Sequence, residues 1–196
     1  MKTHTEQAFL EWAATRGVIL DPRWPYPRHA FLRLNVDAPL EGCWRTPEQP
    51  ESRPYFLWLL LESMRPWKSC FVWRAYGSWP DVPHPDDAAK ETEFQILAGL
   101  GMPMSTADVV EFSADETGKL LTVMFCATIF AWCPTGDLYV VPDTGLYLLH
   151  TSHHGFIDME FRDQAHLDPF EQALAKVGFP LVPPAVQPQF KPGFPP

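Results

Sequence analysis

DLYVVPDTGLYLLHTSHHGFIDMEF, residues 137–161, is the stretch that decides the fold. Three runs rich in β-branched and aromatic residues are separated by two polar turns, the pattern of two successive hairpins. Asp137–Val141 and Gly145–His150 are joined by Pro142-Asp-Thr-Gly145, with proline first and glycine where a positive φ is needed. The second connection is Ser152-His-His-Gly155. Read as a four-residue turn, it sets Thr151 opposite Phe156. Leu146, Leu148 and His150 then share a face with Ile157, Met159 and Phe161, while Tyr147, Leu149 and Thr151 share the other with Phe156, Asp158 and Glu160. On this register His150 lies at the edge of the core, Asp158 points to the opposite face, and His153 and His154 occupy the turn.

His150, His153, His154 and Asp158 are therefore the candidate binding residues. The plainest role is structural: a packed His150 bonded to a backbone carbonyl, and two solvated turn histidines. Imidazole and carboxylate also suit zinc or iron, which makes a metal-dependent enzyme with a His/Asp site on hairpin 146–161 an alternative. Adjacent His153 and His154 diverge, however, and the register separates His150 from Asp158. Acid–base catalysis by a histidine lacks a nucleophile, since no G-x-S-x-G is present and no cysteine has an electropositive setting. No catalytic residue and no metal ligand is assigned. No cofactor is expected either: Gly99-Leu-Gly101 lacks the third glycine of a dinucleotide fingerprint and opens no helix.

Outward from the hairpins, the 196-residue chain fits one domain over 1–180, followed by a proline-rich C-terminal arm or tail over 181–196. Seven of the 17 residues from Pro180 to Pro196 are proline, which rules out a helix or central strand there. The chain is 46% hydrophobic and 14% aromatic, enough for a substantial core. Its net charge of −9 and pI near 5.1 exclude nucleic acid or an anionic membrane as partners through a general field. The same charge is compatible with a basic protein partner. MKTHTEQAFLEW has no basic region followed by an apolar one, and no apolar stretch approaches the roughly 20 residues of a membrane span. A cytoplasmic protein is expected. Cys43, Cys70, Cys126 and Cys133 form no C-x-x-C pair and read as free thiols.

The remaining elements follow from caps and periodicity. Thr3-His-Thr-Glu6 reads as a capping box for a helix over about 4–16 that Gly17 closes. Short strands are expected at Val18–Leu20, Ala30–Val36, Cys70–Arg74 and Ala107–Phe112, and helices at Tyr55–Glu62 and after Asp86 or Asp87. Ser113-Ala-Asp-Glu116 is a second capping box, yet the Thr, Val, Phe and Ile content of 114–130 leaves helix and strand both open. Asp168-Pro-Phe-Glu171 reads as a helix start, with the helix ending at Gly178. Pro22–Pro27 and Pro39–Pro54 read as irregular, proline-braced connections. Seven of the eight tryptophans precede residue 80, as core residues or as an aromatic surface.

Within residues 108–180, the motifs Phe130-Ala-Trp132-Cys133, Asp137-Leu-Tyr-Val-Val-Pro-Asp143, His153-His154 before a strand, and a last helix ending in Gly178-Phe179-Pro180 are similar to uncharacterised acidic bacterial domains of unknown function. Some of these lie near toxin and immunity genes, so the resemblance implies an immunity-like protein and carries over no functional residue. The expected fold is α+β, an antiparallel sheet with helices packed on one face. The expected function is a non-enzymatic binding protein that occludes a basic protein partner, with the metal-dependent enzyme and a structural or assembly subunit as alternatives.

Overall fold

A computed structural model describes residues 1–21, 31–74, 79, 87–104, 106, 108–130, 137–152 and 154–183. In chain order the elements are β1 (Lys2–His4), α1 (Glu6–Thr15), β2 (Val18–Leu20), β3 (Leu32–Leu34), β4 (Leu40–Arg45), α2 (Arg53–Ser63), β5 (Ser69–Arg74), α3 (Ala88–Gly99), β6 (Val109–Ser113), α4 (Thr117–Ile129), β7 (Leu138–Pro142), β8 (Tyr147–Ser152), β9 (Phe156–Phe161) and α5 (Gln164–Ala175). Among the described residues, seven strands form one sheet in the order β1-β6-β5-β7-β8-β9-β4, and β2 pairs with β3 in a separate hairpin. Neighbouring strands in both sheets are antiparallel. The fold is α+β.

Several boundaries differ from the sequence reading, each for a local reason. The first helix is capped by Thr5, whose hydroxyl accepts from Ala8 N at 3.3 Å; Thr3 and His4, expected to be the cap and the start of the helix, instead pair with β6 in the edge strand that begins at Lys2. The region Pro39–Pro54 is not wholly irregular: Leu40–Arg45 form the other edge strand, paired along its length with β9. For residues 114–130 the helix prevails. Ser113 N and Oγ both donate to Glu116, and Leu120, Val123, Met124 and Ala127 are buried at helical spacing. The last helix begins earlier than Asp168. Asp163 is its cap, accepting from His166 N at 3.2 Å, and Pro169 lies within the second turn.

The main core lies on one face of the sheet, where α2, α3, α4 and α5 contribute Phe56, Leu60, Leu97, Leu120, Met124 and Phe170 against Val72, Val140, Leu149 and Phe161. The other face is closed by α1 and the β2–β3 hairpin, whose Phe9, Ala13, Val18 and Leu34 pack on Phe71, Trp73, Tyr139, Val141 and Leu148. Trp44, Trp67, Trp73 and Trp79 are buried, whereas Trp58 is 42% exposed beside Tyr55 on α2. The start of the proline-rich segment lies along the β4 edge: Val182 N donates to Cys43 O at 2.8 Å, and Phe179 and Leu181 pack on the main core. Gly42 makes room for this contact, since a Cβ there would meet the Trp44 ring at 2.6 Å and Leu181 at 3.2 Å. Residues 184–196 lie outside the described residues. No helix among the described residues is long and apolar enough to cross a membrane.

Candidate functional site

The β8–β9 register overturns one sequence expectation. Ser152 pairs with Phe156, Thr151 with Ile157, His150 with Asp158 and Leu149 with Met159. The connection is thus one residue shorter than the four-residue turn, leaving 153–155 between the strands. Gly155 has φ +77° and its N–H donates to Ser152 O at 3.1 Å. A left-handed glycine at the end of a three-residue hairpin loop is a favoured geometry. Because side chains alternate along a strand, the single-residue slip exchanges the faces of β8 relative to β9. Tyr147, Leu149 and Thr151 now share the main-core face with Ile157, Met159 and Phe161. His150 and Asp158, expected on opposite faces, lie side by side under the small hairpin.

His150 is 9% exposed. Its ring stacks on Tyr139, the residue opposite it on β7, with centroids 4.5 Å apart and planes 19° from parallel. Phe31 approaches edge-on at 6.3 Å. Each ring nitrogen faces a carboxylate: Nδ1 is 3.7 Å from Asp158 Oδ2, and Nε2 is 3.8 Å from Asp137 Oδ1. Both distances are within ion-pair reach but longer than a hydrogen bond. Nε2 is buried and makes no hydrogen bond among the described residues. Asp137 precedes β7 and is 2% exposed, so only Asp158, with 38% of its side chain exposed, carries this cluster to the surface.

Across the ladder, Cys43 lies opposite Asp158 and Glu41 opposite Glu160. Burial, the charge of Asp158 and a hydrogen bond from the thiol to Asp158 together push the Cys43 thiol far above the usual range. A thiol held protonated in this way is not a nucleophile. Burial likewise pushes the Tyr139 hydroxyl well up; a hydrogen bond with the Leu32 backbone acts in the opposite direction, while the carboxylates of Glu160, Asp137 and Asp158 add to burial. Glu160 accepts from Leu34 N at 2.6 Å, tying β3 to the rim of the site.

Of the sequence candidates, His150 and Asp158 come together. His154 does not join them; it is exposed and lines a different pocket with Arg45 and Arg53. His153 lies outside the described residues. Asp137 and Tyr139 were not anticipated as neighbours of His150, nor Cys43 as a neighbour of Asp158. Their signal was the β7–β8–β9–β4 pairing, which depends on the turn length. Among the described residues no group of three His, Cys, Asp or Glu side chains could hold a metal ion.

The fold and the cluster define an α+β domain whose sheet carries acidic side chains on one face, backed by a buried imidazole. No protein-family model, curated protein or solved structure matches the chain.

Proposed function

We propose that this protein is a non-enzymatic, immunity-like binding protein of the cytoplasm that occludes a basic surface of a protein partner. The observation that carries the reading is the acidic run on β9 and β4. Asp158, Glu160 and Glu41 share one sheet face, with Glu41 exposed and directly opposite Glu160. Like charges facing one another across a ladder repel. Arginine or lysine side chains from a partner would relieve that repulsion and add favourable contacts of their own. The net charge of −9 would steer a basic partner towards the protein from a distance. His150, wedged between Tyr139 and two carboxylates, is suited to holding Asp158 in place on that face.

The test is affinity capture at low ionic strength, followed by measurement of the recovered partner's affinity across a salt series. A basic partner whose binding weakens steeply with salt is expected. Failure to recover a partner, or an affinity indifferent to salt, would remove the basis for this reading.

A second reading, a metal-dependent enzyme centred on hairpin 146–161, is favoured by one observation: the buried Nε2 of His150 has no hydrogen-bond partner among the described residues, in a ring flanked by two carboxylates. It predicts a transition metal in the purified protein and a higher melting temperature on adding zinc. Protein free of such metals, with unchanged melting, would count against it.

A further inference from the structure

The chain carries a net charge of −9, yet one pocket has the opposite local balance. It lies where β4 ends and β9 begins and has a volume of about 260 Å³. Arg45, Arg53, His154, Phe156 and Glu48 contribute to its walls. Counting the two guanidiniums against the one carboxylate gives +1 with His154 neutral.

The arginines play different parts. Arg53 is fixed: its Nε donates to Pro47 O at 2.8 Å and its Nη1 to Thr128 O at 2.6 Å. Those two bonds leave three of the five guanidinium N–H groups uncommitted, in a group already oriented and needing no further ordering to bind. Arg45 is less constrained, with 56% of its side chain exposed and its guanidinium 5.6 Å above the Phe156 ring. Its carboxylate neighbour among the described residues, Glu48, is 3.9 Å away and 81% exposed, a weak pair that a better-placed anion would displace. The Phe156 ring supplies an apolar wall to the pocket, which the exposed His154 also lines.

We propose that this pocket binds a small organic anion, with its carboxylate or phosphate group on the Arg45 and Arg53 guanidiniums and its apolar part against Phe156. Guanidinium forks match planar carboxylates and phosphate oxygens alike, so the anionic group is the shared requirement. Arg45 and Phe156 continue the sheet face that carries Glu41 and Asp158, at the opposite end of β4 from Glu41, and anion binding there does not depend on the role proposed for those carboxylates.

The experiment is a titration of the ¹⁵N-labelled full chain with benzoate, phenyl phosphate and uncharged benzyl alcohol at constant ionic strength, following the amides of Thr46 and Gly155. Saturable shifts are expected with at least one of the two anions, and the one that binds more tightly identifies the class. Benzyl alcohol should give none. Arg45→Gln, which removes no side-chain hydrogen bond among the described residues, should weaken the anion about tenfold. Asp168→Asn, at an exposed position on α5, should leave it unchanged. The proposal is overturned if neither anion saturates, if benzyl alcohol binds as well as the anions, or if Arg45→Gln binds as tightly as wild type.

Discussion

His150 shows how much one side chain's surroundings depend on residues distant in sequence: Asp137, Tyr139, Asp158 and Phe31 all reach it from other elements. Truncation of His150 to alanine should therefore destabilise the protein by about 2–3 kcal/mol, through the lost stack on Tyr139 and the void left beneath the small hairpin. Urea unfolding measures this, and a change below about 0.5 kcal/mol, the scale of an ordinary surface substitution, would show that the ring is not packed as described. The thiols give a second prediction at this scale. Burial, helped by the charge of Glu93, pushes the Cys126 thiol up from 9.0 to about 12, and Cys43 and Cys70 are raised as well. A raised folded-state value means that the native chain holds the thiol proton more tightly than the unfolded chain. The resulting stabilisation is complete below pH 9 and is lost as pH rises towards about 12. Urea midpoints should fall across that window, and more shallowly for Cys126→Ala. Peptide mapping should show Cys43, Cys70 and Cys126 resisting alkylation at pH near 8 in the native protein; rapid native labelling would contradict their burial.

Most elements were legible from caps and periodicity because those signals are local: Asp87 caps α3, the Ser113–Glu116 box precedes α4, and Gly17 and Gly145 have positive φ. Glycine 145 is also fixed by a contact from elsewhere in the chain. A Cβ there would meet Arg16 O at 2.5 Å. Gly118, in the first turn of α4, meets nothing within 4 Å. Gly145→Ala should accordingly cost about 1–3 kcal/mol, while Gly118→Ala should stabilise by about 0.4–1 kcal/mol. Thermal or urea denaturation of the two variants checks both signs. The signals that misled were those shared by two solutions. Thr3 and Thr5 both offer a hydroxyl before α1, and Asp163 and Asp168 both offer a carboxylate before the last helix. The β8–β9 register was the most consequential case. Every residue of β8 is buried, so its hydrophobic pattern fits either register equally well. The alternation on β9 fixes which of its own residues face the main core, but not which β8 residues oppose them. Loop length decided, and Gly155 suits the end of a three-residue loop as well as it suits a four-residue turn.

At the scale of the whole molecule, the reason β8 is buried on both sides is the second layer formed by α1 and the β2–β3 hairpin. Pairing of that hairpin across a proline-bearing connection left no mark in the local pattern. The same layer explains how a histidine comes to lie between carboxylates without reaching the main core. It also leaves the β9–β4 end of the sheet displaying Asp158, Glu160 and Glu41, while α5 covers the other side of those strands. Charge is thus distributed by architecture, and the binding role proposed above depends on which side meets the partner. Glu41 is the most informative position to change, because it is exposed and lies directly opposite Glu160 on the edge strand. Asp168, exposed on α5 across the sheet, provides a control with the same change in charge. The decisive measurement is the affinity of the captured basic partner for wild type, Glu41→Lys and Asp168→Lys at one ionic strength. Glu41→Lys should weaken binding by about tenfold or more, while Asp168→Lys leaves it within about twofold. Equal affinities for wild type and Glu41→Lys would contradict the account.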